Sequence, residues 1–295
     1  MSQFDINNFP NEFFFEAINL RNFQRNSNFI QQLICSFHDY DNLYLVSKFY
    51  DGFIMNYLKS QWNEKQIQFF SACLIQSFEI LRKEQFIHRD INFGNLVLDE
   101  KQYINIIDFH IAIKYKYKNN PKNNFVGSPE LCAPEMINKL NYDYNSDYYR
   151  LGGIIYYNIF RKFPNNIFME KNLTNIKINY NETKNYSFSC VDFINKLITY
   201  DYEKRIGLHH IEDLKNHVFF KNFNWDKLIN GTMKSPFPKI LKKDLGFCNK
   251  PYNFTKKIFI KTSLSKNKTF RNIFLDFDNI NQMIVEKIFL SFKYN

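Results

Sequence analysis

The chain of 295 residues has little glycine, proline or cysteine. With eight glycines and eight prolines, it is neither collagen-like nor rich in linkers. The five cysteines are odd in number, widely spaced and contain no C-x-x-C pair; they are Cys35, Cys73, Cys132, Cys190 and Cys248. This pattern predicts neither a zinc site nor a disulfide framework, and it favours a reducing, intracellular compartment such as the cytoplasm.

Long hydrophobic runs are absent as well. No apolar stretch approaches the roughly 18 residues that a membrane-spanning helix needs. The first ten residues, MSQFDINNFP, lack the basic-then-apolar pattern of a signal peptide. We therefore expect no membrane span.

Apolar and basic residues are abundant. Hydrophobic residues make up 45% of the chain, with 34 Phe and 19 Tyr, which is enough for a sizeable core. The net charge of +10 permits a nucleic-acid interpretation. However, the basic residues are scattered rather than arranged in a stripe with aromatic residues. We therefore expect no specific nucleic-acid partner, and the sequence carries no signal for an oligomeric state.

The hydrophobic pattern changes from mixed to helical along the chain. Asn63 is placed to cap a long amphipathic helix. Strands are predicted at Phe29–Phe37, Leu43–Phe49, Asn95–Asp99 and Tyr103–Ile107, and further helices at 11–24, 147–160, 189–200 and 211–217.

Five motifs occur in a fixed order. They are FIHRDINFGNLV at 86–97, INIIDFH at 104–110, GSPELCAPE at 127–135, DYYRLG from 147 and DYEKRIG at 201–207. Together they resemble the catalytic domain of the eukaryotic protein kinase family, over roughly residues 12–240. HVFFKNFNWDKL at 217–228 and FLDFDN at 274–279 resemble the AGC group of these kinases.

The resemblance implies an α+β, protein-kinase-like fold. It divides the chain into a partial, incomplete N-lobe at residues 1–50, a mainly helical C-lobe at 51–240 and an AGC-like tail at 241–295. It also implies transfer of the γ-phosphoryl group of ATP, with Mg²⁺, to a protein substrate. Ser128 occupies a position that favours serine or threonine over tyrosine substrates.

The resemblance implies roles for individual residues. Asp90 corresponds to the carboxylate that accepts the proton of the substrate hydroxyl, and Asn95 and Asp108 correspond to the Mg²⁺ ligands. Arg89 corresponds to the arginine that pairs with an activation-loop phosphate. For the nucleotide, the resemblance implies backbone hydrogen bonds from the linker Lys48–Tyr50 and an adenine contact from Val97.

Other matching residues are implied to be structural. Glu135 and Arg205 are expected to form a buried ion pair, and Asp147 to accept hydrogen bonds from the backbone of the catalytic loop. Leu20, Leu33, His88 and Phe109 match the apolar stack of an active kinase. Glu16 is the candidate partner of the N-lobe lysine.

Several family features are missing from this sequence. The residues before Glu16 contain no glycine and no V-A-x-K. Asn92 stands where the catalytic loop carries a lysine, His110 where a glycine follows Asp108-Phe109, and Asn124 where AGC kinases place a phosphoacceptor. Two interpretations remain open: a serine/threonine kinase with impaired turnover, or a pseudokinase that scaffolds or regulates partners.

Overall fold

The computed structural model describes residues 20, 28–38, 43–50, 52–115, 127–138, 143–164, 176–183 and 185–239. These residues belong to two compact units. Residues 32–38 and 43–49 fall in the smaller unit, and the other described residues fall in the larger one. Glu16, Asn124, the tail at 241–295 and all of the predicted helix at 11–24 except Leu20 lie outside the described residues, and Leu20 is helical and buried. The predicted division at residues 50 and 240 stays a prediction.

The smaller unit contains a β-hairpin. Strands β1 (Leu33–His38) and β2 (Leu43–Ser47) pair in antiparallel register, with a shift between Leu33 and Cys35. The backbone N–H of Lys48 donates to the carbonyl of Gln32 at 2.9 Å and extends the pairing beyond β2.

The larger unit contains short antiparallel strands. Strands β3 (Gly52–Phe53), β5 (Leu96–Leu98) and β6 (Ile104–Ile106) form one sheet in that order. Strands β4 (Phe86–Ile87) and β7 (Ile113–Lys114) form another pair.

Helix α1 (Glu64–Lys83) is the longest helix among the described residues. Asn63 caps it, because its side chain accepts from the Gln66 N–H while the Gln66 side chain accepts from the Asn63 N–H. Its predicted apolar stripe is buried and consists of Ile67, Phe70, Cys73, Leu74, Phe78 and Leu81. This face packs against β4, β6 and a second long helix, α3.

The remaining helices complete the core. They are α2 (Pro134–Ile137), α3 (Asn145–Phe160), α4 (Phe188–Leu197), α5 (Glu212–Lys215) and α6 (Trp225–Ile229), with 3₁₀ turns at Ile54–Tyr57, Pro129–Leu131, Tyr180–Glu182, Tyr202–Lys204 and Val218–Phe220. The segment predicted as a helix at 211–217 is helical only over α5, and His217 caps the next 3₁₀ turn. In the described part of the chain, no helix is long and apolar enough to cross a bilayer. Cys73, Cys132 and Cys190 are buried free thiols.

Helices α3 and α4 approach each other at a glycine. A Cβ atom built on Gly152 would lie 2.7 Å from Leu197 Cβ and 2.7 Å from Ile198 Cγ2. The neighbouring Gly153 instead faces a side-chain end, because its Cβ would lie 2.9 Å from Leu131 Cδ2. Leu197 Cβ moves only with its backbone, so the close packing of these helices depends on Gly152.

We predict that Gly152→Ala destabilises the protein by about 1–3 kcal/mol, since overpacking costs that much in a core. Gly153→Ala is the matched control, because it adds the same methyl group to the same helix against a side chain that can rotate. The free energy of unfolding, measured by urea denaturation, is expected to fall further for Gly152→Ala. Equal losses for the two variants would contradict this account of the α3–α4 contact.

Candidate active site

The loop between β4 and β5 is fixed to helix α3 by a buried carboxylate. Asp147, in the first turn of α3, accepts from the His88 N–H at 2.8 Å and from the Arg89 N–H at 2.9 Å. Burial raises the pKa of Asp147, and these two hydrogen bonds act in the opposite direction. Arg89 has φ +70°, a conformation that a non-glycine residue rarely adopts. The helix therefore positions residues 88–90.

His88 connects this loop to the segment after β6. Its Nδ1 accepts from the Asp90 N–H at 3.2 Å, and its Nε2 lies 3.2 Å from the Ile107 carbonyl. These partners define a neutral ring with the proton on Nε2. The ring also packs edge-on against Phe109, with centroids 4.8 Å apart. Both side chains are fully buried, as the predicted apolar stack requires.

Asp90 accepts hydrogen bonds at both of its carboxylate oxygens. Its Oδ2 accepts from Asn95 Nδ2 at 2.9 Å. Its Oδ1 accepts from the Ser128 N–H at 2.8 Å and from the Ser128 hydroxyl at 2.9 Å. Burial favours the neutral acid, but hydrogen bonds from Ser128 and from the Asn92 side chain, together with the charge of Arg150, outweigh it and hold the pKa of Asp90 below its usual value. The side chain is therefore an ionised acceptor at neutral pH.

Asn92 folds back onto its own loop. Its Oδ1 accepts from the N–H groups of Gly94 at 2.7 Å and Asn95 at 3.2 Å. Its Nδ2 donates to the Asp90 carbonyl at 3.3 Å. The side chain stabilises the turn and carries no charge into the site.

Asp108 follows the backbone segment that borders Asn95. The Ile107 N–H donates to the Asn95 carbonyl at 3.0 Å, and the Asp108 N–H donates to Gln31 Oε1 at 3.1 Å. The Asp108 carboxylate directly contacts the His110 imidazole. Burial raises the pKa of Asp108, but the hydrogen bond and charge of His110 outweigh that effect and lower it. Asp108 has φ +69°, so two residues of this site, Arg89 and Asp108, adopt the left-handed conformation.

The donor set can be tested against a divalent cation. Asn95 uses its Nδ2 on Asp90, which leaves its amide oxygen as an acceptor, and Asp108 supplies a carboxylate. One carboxylate and one neutral oxygen, completed by water and phosphate oxygens, fit Mg²⁺. The His110 imidazole competes for the same carboxylate. Within the described ranges, no cluster of three or more His, Cys, Asp or Glu forms a separate metal site.

Three residues were expected to contact a nucleotide: Lys48, Tyr50 and Val97. Val97 lies in β5 at the centre of its sheet and is 3% exposed, so it offers little surface. Tyr50 is half-buried in the larger unit. Lys48 belongs to the smaller unit, where its backbone N–H already bonds to Gln32. The nucleotide contacts of these three residues stay predictions.

Arg89 braces the segment after Asp108, and the Glu135–Arg205 ion pair braces the surrounding helices. Arg89 Nε donates to the Ile111 carbonyl at 2.8 Å, so its guanidinium binds the backbone beyond Asp108. Arg205 forms two hydrogen bonds to Glu135, at 2.6 and 2.9 Å, and donates to the Asn145 carbonyl at 3.0 Å. Both side chains are buried. This contact joins α2 to the start of α3.

Two neighbours of Asp90 escaped the sequence analysis. Arg150 is a fully buried arginine in α3, and its Nη1 lies 3.9 Å from Asp90 Oδ1. Gly127 has φ +82°, and a Cβ there would lie 2.5 Å from the Arg89 carbonyl. The sequence did single out Arg150, because this charged residue interrupts the otherwise apolar helix predicted at 147–160.

Comparison with known proteins agrees with this geometry. The family model for the protein kinase domain matches residues 3–220. The chain belongs to the protein kinase family. It is 30% identical over 223 residues to the serine/threonine-protein kinase sgk-1 of Caenorhabditis elegans, which covers 72% of this chain and 47% of that protein.

Other kinases give similar matches. A probable serine/threonine-protein kinase of Dictyostelium discoideum is 31% identical over 216 residues, covering 71% of this chain and 47% of the relative. Protein kinase C delta type of Rattus norvegicus is 27% identical over 229 residues, which cover 75% of this chain and 33% of that protein. The chain spans about half the length of the first two relatives. These matches confirm the predicted AGC-like serine/threonine kinase family and the α+β kinase fold.

The neutral His88 predicts a pH dependence of stability. Burial lowers the pKa of His88 below the ordinary value of 6.5, and the nearby carboxylates Asp147 and Asp90 oppose this without offsetting it. The unfolded chain therefore binds a proton first. The stabilising contribution of His88 is complete above about pH 6.5 and is lost as the pH falls below that value.

We predict that the free energy of unfolding falls more steeply between pH 7.5 and pH 5.5 in the unmodified protein than in His88→Gln. Urea denaturation across this range measures the difference. His209→Gln, at an exposed histidine, is the control and is expected to follow the unmodified protein. Parallel curves for the unmodified protein and His88→Gln would refute the prediction.

Proposed function

We propose that this chain is a serine/threonine protein kinase that transfers the γ-phosphoryl group of ATP to a protein hydroxyl at a low rate. The observation that carries the proposal is the hydrogen bond from the Ser128 hydroxyl to Asp90 Oδ1 at 2.9 Å. In this contact the Asp90 carboxylate, whose pKa is lowered, accepts a hydrogen bond from a serine hydroxyl of this chain. A substrate hydroxyl requires the same kind of contact with its base.

The proposed roles follow from the contacts. Asp90 orients the attacking hydroxyl and accepts its proton, while Asn95 holds Asp90 through its amide nitrogen. The oxygens of Asn95 and Asp108 would hold Mg²⁺, which when bound neutralises charge on the transferred phosphates. Asp147 and His88 keep the loop in position. Arg89 braces the loop after Asp108.

The low rate is inferred from two residues. The uncharged Asn92 is committed to the turn that it closes, so the loop has no cation to offer the γ-phosphate at this position. His110 contacts the Asp108 carboxylate. By analogy with other charge-stabilising groups, the loss of one costs about 10²–10³ in rate. The His110 contact would compete with Mg²⁺ for the Asp108 carboxylate and so weaken the metal site.

The contact between His110 and Asp108 also supports a second candidate. A pseudokinase that binds protein partners does not need a metal ligand at Asp108, and an imidazole on that carboxylate is compatible with such a role. The three buried free cysteines fit a reducing compartment for either function.

A kinase assay tests the two candidates. With Mg²⁺, radiolabelled ATP and basic serine-containing peptides, we predict slow phosphorylation that falls about 10²–10⁴-fold in Asp90→Asn, the range for general-base catalysis. Asp108→Asn is the background control. A wild-type rate no higher than that of Asp108→Asn would exclude kinase activity in this chain and favour the pseudokinase.

A metal-binding measurement tests the obstruction at Asp108. His110→Ala removes the imidazole, and we predict about fivefold tighter binding of Mn²⁺, used as the probe ion with ADP and followed by electron paramagnetic resonance. The size corresponds to about one hydrogen bond of net stability. His210→Ala, at an exposed histidine, is the matched control. Unchanged Mn²⁺ affinity in His110→Ala would show that the contact does not compete with the ion.

A further inference from the structure

Arg150 is an unusual residue for its position. It lies in the interior of helix α3, and its side chain is 0% exposed. Placing an arginine charge in a protein interior is strongly unfavourable unless other groups compensate it. The compensating groups therefore indicate what this residue does.

The guanidinium faces the catalytic loop and the segment that follows Gly127. Its Nη1 lies 3.9 Å from Asp90 Oδ1 and donates to the Ser128 carbonyl at 3.3 Å. The same Asp90 oxygen accepts both hydrogen bonds from Ser128. Arg150 thus contacts both partners of the contact on which the proposed function rests.

Gly127 is consistent with a tight clamp at this point. A Cβ on Gly127 would lie 2.5 Å from the Arg89 carbonyl, 2.8 Å from Asp90 Oδ1 and 3.0 Å from Arg150 Nη2. Those atoms belong to the loop and to helix α3. The backbone at 127–128 therefore packs closely between the Asp90 carboxylate and the Arg150 guanidinium.

Helix α3 presents two opposite charges to the loop. Asp147 and Arg150 are three residues apart and share one face of the helix. Asp147 binds the backbone of His88 and Arg89, while Arg150 approaches the side chain of Asp90. The first contact fixes the path of the loop, and the second acts on the reactive carboxylate.

We infer that Arg150 is a positioning residue for phosphoryl transfer: its buried guanidinium holds the Asp90 carboxylate against Ser128. This inference rests on the proposed kinase function for its catalytic consequence. The Asp90–Arg150 contact itself does not depend on turnover. Arg150 does not replace a lysine at position 92, because its side chain is fully buried and its guanidinium donates to the Ser128 carbonyl.

Stability measurements test the contact independently of activity. Arg150→Met is compared in the parent protein and in an Asp90→Asn background by urea denaturation. We expect the denaturation midpoint to fall at least twice as far in the parent, because removing the cation leaves the Asp90 carboxylate without its compensating charge. Equal shifts in the two backgrounds would overturn the inference, since packing or a contact with Asp147 alone predicts equality.

A folding failure also gives an answer. If Arg150→Met folds only with Asp90→Asn, the coupling is present in its extreme form and supports the inference. If it folds in neither background, the same comparison is made with Arg150→Gln, which removes the charge but keeps a polar side chain. Equal midpoint shifts for Arg150→Gln in both backgrounds would then overturn the inference.

Kinetics test the catalytic consequence. Arg150→Met is expected to lower kcat by at least tenfold with little change in the KM for ATP. A kcat in Arg150→Met equal to that of the parent would contradict the positioning role. If the parent has no turnover, the proposed function fails, and the stability comparison still decides whether Arg150 acts on Asp90.

Discussion

The two hydrogen bonds that Asp147 accepts from His88 and Arg89 are the constraint on which the site depends. A helix of 16 residues, packed on both α1 and α4, supplies the carboxylate, and the short loop after β4 supplies the two N–H groups. Burial of Asp147 is unfavourable on its own, and these bonds compensate part of its cost. The loop conformation, including the left-handed Arg89, is thereby determined by helix α3.

Polar contacts propagate outward from this constraint. His88 reaches Ile107, Asn95 reaches Asp90, and Ser128 closes over Asp90 from the opposite direction. Each contact joins segments that are distant in sequence. The site is therefore assembled by helix α3 and the β5–β6 hairpin together, and no single segment contains it.

Sequence reasoning succeeded where a pattern had a local physical cause. Asn63 followed three residues later by Gln66 is a capping box, and the apolar spacing after it defines the buried face of α1. The Glu135–Arg205 ion pair and the Asp147 hydrogen bonds were expected from the family motifs, and the structure contains both. The segment at 211–217 misled because its apolar residues also suit a turn of helix followed by a 3₁₀ turn.

The contacts that the sequence did not reveal involve distant partners. Nothing in the letters around Arg150 states that its guanidinium meets Asp90, sixty residues earlier, or that the Asp108 N–H finds Gln31. Likewise, the commitment of Asn92 to its own turn depends on the conformation of the loop. Such features require the three-dimensional arrangement, because hydrophobic spacing carries no information about them.

Gly127 limits how the chain can vary. Its left-handed backbone and the three polar atoms around it leave space for a hydrogen atom and nothing larger. Even alanine would have to push the serine segment away from the carboxylate. Gly127 therefore sets how closely the segment at 127–128 approaches the loop that contains Asp90. In a library of substitutions at position 127, we expect glycine to be retained in every variant that keeps this approach.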